Sequence, residues 1–144
     1  MGSKTNLCET ASLELMFNNV DFANVGDTAG LQNSAAEGSF FIALFTVAPG
    51  EAGGGTEATF GAYARQAVAR SVAGWTVSGN SVTNAALITF TEATSGSETV
   101  TDFAIMTAVT GGDMLYYTTL DTSRLVNTGV TVEFAVGALV VTSD

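Results

Sequence analysis

The chain has 144 residues, 47% apolar and only 12% charged, so it is long enough for one buried core and too apolar for general disorder. Fourteen acids face four bases (Lys4, Arg65, Arg70, Arg124), and the net charge of −10 argues against nucleic-acid binding and against an anionic membrane surface. With no histidine and one cysteine (Cys8), the chain has no intrachain disulfide, no thiolate zinc site and no histidine-based triad.

Residues 1–20, MGSKTNLCETASLELMFNNV, hold the one helical segment. Leu7, Ala11 and Leu15 recur at helical spacing with Met16 beside them, and Glu9 and Glu14 lie on the other side. Thr5 or Asn6 caps the start, and Asn18-Asn19 ends it. Such a short helix needs its apolar stripe docked, either on its own domain or on a neighbouring subunit. There is no apolar leader segment, and no run reaches the roughly 18 residues of a membrane span, so a soluble cytoplasmic chain is expected.

Asp21 to Gly38 reads as a long polar connection, either a plain surface loop or a segment ordered against a partner. Ser39 to Val47, SFFIALFTV, is apolar on both faces and therefore reads as a central strand. The glycine-rich APGEAGGGTEAT after it lacks the Lys-Ser/Thr and helix of a phosphate cradle. Around Ser78-Gly79-Asn80-Ser81, two alternating runs flank a small pair suited to a tight hairpin, with Trp75 and Val77 entering and Val82 leaving.

A further strand is expected over Glu98 to Val109, then a turn at Thr110-Gly111-Gly112-Asp113 leading into the strand MLYYTTL. Asp121 to Asn127 reads as a polar bend. Val130 to Val136 shows the cleanest half-buried alternation, interrupted by Gly137 before a last strand. These features predict an all-β fold: an antiparallel β-sandwich, jelly-roll-like, with a short N-terminal helix and extended arm. Residues 1–38 form the arm and residues 39–144 the sandwich body.

Little catalytic chemistry is available. Asp102 with Asp113 or Asp121 are the formal candidates for a carboxylate pair, but these acids read as lying in or beside turns. No metal, cofactor or catalytic site is expected. Arg65 and Arg70 are either exposed arginines paired with some of the acids or interface arginines gripping a neighbour's carboxylates. Trp75 reads as a core anchor, and Tyr116 and Tyr117 point to opposite faces of one strand, leaving one able to meet a partner. The candidate interface residues are Leu7, Leu15, Met16, Phe17, Arg65, Arg70, Tyr117 and Arg124.

SKTN, GDTAGLQ, LFTVAPGEAGGGTEATFGAYARQAVARS, GWTVSGNSVTNAALITF and the closing AVGALVVTSD together resemble a family of small tailed-bacteriophage proteins, described as virion or tail-fibre-like. The resemblance runs over nearly the whole length, and the PGEAG…YAR…AVARS…GW block is its most specific part. In that family's pattern histidines stand where this chain has Phe45 and Asp102, so no histidine-based function is implied, and no catalytic residues carry over. The resemblance implies a particle component assembled in the host cytoplasm.

Three functions follow as expectations. The first is a capsid decoration (cement) protein, trimeric, binding the major capsid protein and copies of itself. The second is a tail-fibre or tail-tip module contacting the host surface, although no repeat or heptad is visible. The third is a lectin-like or carbohydrate-active module using Trp75 or Tyr117.

Overall fold

The computed structural model describes residues 2–143. It is mostly antiparallel β-structure with one short helix, the all-β sandwich class expected from the sequence. The chain divides into two compact units, Met1–Ser39 with Ala69–Leu87 and Phe134–Asp144, and Phe40–Val68 with Ile88–Glu133.

In the first unit, α1 (Asn6–Asn18) is capped by Thr5, whose hydroxyl accepts the Cys8 N–H at 3.3 Å. It ends at Asn19, which takes the left-handed conformation (φ +55) while the Val20 N–H returns to the Glu14 carbonyl at 3.2 Å. Both ends lie where the cap residues predict. The buried face does not: Leu13 and Phe17 are the helix residues that go inside, whereas Leu7 is 73% exposed. Apolar side chains lie on more than one face of this helix, so spacing alone does not choose among them. Burying a phenylalanine and a leucine one turn apart removes more apolar surface than burying a stripe containing Ala11.

The surface that receives them is a three-stranded sheet in the order β10–β5–β4, with β4 (Trp75–Ser78), β5 (Ser81–Asn84) and β10 (Val140–Thr142). Trp75 pairs with Asn84 and Ser78 with Ser81, leaving Gly79-Asn80 as the two-residue loop. Gly79 supplies the positive φ (+60) that this turn needs. Trp75, Val82 and Leu139 are fully buried, and the Phe17 ring meets Trp75 edge-on with centroids 4.9 Å apart. The long connection is stitched to itself: Phe22 and Leu31 exchange backbone hydrogen bonds, and the Asn19 amide spans both the N–H and the C=O of Ser34.

In the second unit, β1 (Ser39–Val47) is central as expected. It pairs on one side with β7 (Ser97–Met106) and on the other with the short β2 (Thr56–Glu57) and β3 (Gln66–Ala69). β7 pairs in turn with β8 (Met114–Asn127), and β6 (Ile88–Thr89) pairs with β9 (Glu133–Phe134). Ile42, Leu44 and Ile105 are fully buried; on the opposite face Ala43, Phe45, Ala104 and Met106 form a second buried cluster flanked by Phe41 and Met114.

Two sequence expectations are corrected here. The bend expected at Asp121 to Asn127 is strand: β8 runs through it, with a bulge where Asp102 opposes Thr119 and Val100 opposes Arg124. An edge strand exposed along most of its length needs no apolar alternation, so polarity is a poor guide to its end. Conversely, of the alternating run Val130 to Val136 only Glu133–Phe134 is strand. Val130 and Val132 do accept hydrogen bonds from Ala93 and Phe90, but the run lies between Gly129 (φ +86) and Gly137 (φ +76), and Val136 is 66% exposed.

Candidate interaction surfaces

Arg65, just before β3, is an internal clamp. Its guanidinium meets Glu57 through two parallel contacts, Nε to Oε1 and Nη2 to Oε2, both 2.8 Å. The remaining nitrogen, Nη1, donates to the carbonyls of Ala108 and Gly111 in the β7–β8 turn, each at 2.7 Å. Tyr63 completes the group, donating from its hydroxyl to Glu57 Oε1 at 2.7 Å and accepting the Leu44 N–H at 3.0 Å. The bonded Arg65 guanidinium holds the Glu57 carboxyl below its usual value against the opposing effect of burial, and burial pushes the Tyr63 phenol up. Phe60 and Phe90 pack against the Tyr63 ring at 5.2 and 6.2 Å. Glu57 and Tyr63 lie within the block that carries the family resemblance, but their pairing with Arg65 is recognisable only once Arg65 is seen between β2 and the distant turn.

Arg70 does similar work in the other unit. Its Nε and Nη2 donate to the carbonyls of Met16 and Leu15 at 2.7 and 3.0 Å, at the C-terminal end of α1 where a cation is favoured. Its Nη1 reaches Ser34 Oγ and the Glu37 carbonyl at 3.3 and 3.2 Å. Arg70 thus gathers the last turn of the helix and the end of the long loop into one cluster.

The other proposed interface residues are spread over both units. Leu7 and Met16 lie exposed on α1, Leu15 is half-buried, and Phe17 is fully buried against Trp75. Tyr117 is 40% exposed on β8, Tyr116 is half-buried, and Arg124 is exposed further along the same strand. Trp75, at 0% exposure, has no face open to a sugar.

The candidate acids are not all in turns. Asp102 lies within β7, only 3% exposed, and accepts hydrogen bonds from the Thr101 and Thr119 hydroxyls at 2.6 and 2.9 Å. Asp113 closes the β7–β8 turn, its N–H donating to Thr107 Oγ1, and Asp121 lies in the β8 bulge. Among the described residues, no group of three or more His, Cys, Asp or Glu side chains is placed to hold a metal ion.

Within each unit this geometry is internal bracing, and among the described residues it gathers no set of reactive groups. The family of the podophage GP4 fiber I protein gp80 matches residues 3–142. The chain belongs to that family. Its members are phage fibre proteins by description, which makes this chain one of a family of structural virion proteins. A search of curated proteins finds no match.

Proposed function

We propose that the chain is a structural module of the tail fibre of a tailed bacteriophage, acting through contacts and not through catalysis. The family match over residues 3–142 carries this reading. It favours a fibre over the capsid-decoration role expected first from the sequence, because the family's description names a fibre. The bracing agrees with it: Arg65 and Arg70 are spent on holding turns, helix end and loop in place, which suits a part that transmits force. Its partners in this reading are neighbouring fibre components and further copies of itself, and its place is the virion.

The direct test is immunogold labelling of intact particles with antibody raised against this chain. Gold at the tail is the expected result. Gold distributed over the head lattice would overturn the fibre reading in favour of decoration.

A further inference from the structure

β8 is paired along one edge only, to β7; among the described residues no strand lies along its other edge. A strand edge of that kind offers a row of backbone donors and acceptors to another chain, and proteins commonly protect it with lysine, proline or short length. β8 is 14 residues long, MLYYTTLDTSRLVN, contains neither lysine nor proline, and is rich in residues that favour strands. Leu115, Tyr117 and Leu125 stand on it at 37%, 40% and 55% exposure.

The charge on this strand differs from that of the chain as a whole. Two copies, each at −10, repel one another over most of their surface. β8 carries one acid, Asp121, and one base, Arg124, so a second copy can approach it without that penalty. Arg124 is also the uncommitted base. Lys4 donates to Ser143, Arg65 and Arg70 are engaged as described, and among the described residues the Arg124 side chain makes no hydrogen bond or ion pair.

An acid and a base three positions apart on one strand are complementary to the same strand running the other way. In a twofold contact each residue that meets a second is met by it in return, so one such pair becomes two. In a regular ladder, residues three apart point to opposite faces, which would part the charges. The bulge removes that obstacle: between Thr119 and Arg124 β8 has four residues where β7 has one, which frees Asp121 from strict alternation.

We propose that the outer edge of β8 binds β8 of a second copy of this chain, antiparallel across a twofold axis, with Arg124 of each copy facing Asp121 of the other. In that register Leu125 of each copy faces Leu120 of the other and supplies apolar contact beside the charge pairs, while Tyr117 and Leu115 lie beyond the paired stretch. The contact gives the fibre reading a self-association surface and rests on that reading only for its use in the particle.

Sedimentation over a concentration series tests it. The native chain dimerises; Arg124→Asp alone and Asp121→Arg alone each weaken the dimer about tenfold or more, and the double exchange recovers it. These side chains are exposed, and unchanged circular dichroism confirms that each variant folds. A chain that stays monomeric to about 100 μM, an oligomer indifferent to both single changes, or a double exchange no better than the singles would overturn the proposal. Each of those failures leaves the fibre reading intact, since labelled particles test that reading separately.

Discussion

Arg65 and Glu57 face each other fork to fork at 2.8 Å, and the guanidinium's remaining nitrogen carries the tip of the β7–β8 hairpin through Ala108 and Gly111. One side chain therefore ties β2 to a turn more than forty residues away in sequence. With the Arg65 side chain only 8% exposed, its removal leaves the half-buried Glu57 carboxylate and Ala108 carbonyl without their partner. Arg65→Ala is expected to cost about 2–4 kcal/mol in denaturant unfolding. Arg65→Lys should recover little of it, because an ammonium cannot match the carboxylate in two places while also reaching the turn. A loss under about 0.5 kcal/mol for either change would show that the clamp is not a structural brace.

Acid should release the same clamp. The Glu57 carboxyl is held below its usual value of about 4.5, so above that pH the folded and unfolded chains are both ionised and the full contribution is present. As pH falls below 4.5 the unfolded chain takes up the proton first, and the stabilisation drains away through the lowered folded value. Tyr63 acts with the opposite sign at the alkaline end: its raised value lets the unfolded phenol ionise first, and stability falls as pH rises above 10. Unfolding measured from about pH 3 to pH 7 should show a flatter acid limb in Glu57→Gln than in the native chain. Parallel curves would assign the acid loss to other carboxylates.

The docking of α1 has its own reporter, because Trp75 is the single tryptophan and lies against Phe17. Phe17→Ala opens a cavity beside the indole and should cost about 3–5 kcal/mol. Trp75 emission should shift to the red as water gains access. An unshifted spectrum with native stability would mean that the helix does not depend on this contact.

Asn84 closes the first unit from inside. At 1% exposure, its Nδ2 donates to the carbonyls of Ala86 and Ala135 at 2.8 Å, and its Oδ1 accepts the Leu139 N–H at 2.9 Å. Asn84→Leu keeps the volume and strands those three backbone groups, at an expected cost of about 2–4 kcal/mol. Thermal unfolding of this variant at native-like midpoint would show that water satisfies them instead.

The parts of the fold that local chemistry decides are legible in the residues. Thr5 and Asn19 bound the helix, Gly79-Asn80 closes its hairpin, and the doubly apolar β1 lies between strands on both sides. Where several local answers are equal, tertiary packing chooses, as when Leu13 and Phe17 go inside and Leu7 stays out. Strand extent fails as a sequence signal for a related reason. β8 continues through polar residues because β7 offers it a partner, whereas Val130 to Val136 alternates well and finds only a short one. The arginines are the least legible: their partners are Glu57 and backbone carbonyls brought from elsewhere by the fold, which no spacing announces.

The proposed place of this chain in the tail fibre is checked by adding purified protein to isolated tails and isolated heads from particles lacking it, and imaging both. Saturable density on the tails, absent from the heads, is the result predicted. Saturable density on the head lattice with bare tails would contradict it and return the chain to capsid decoration.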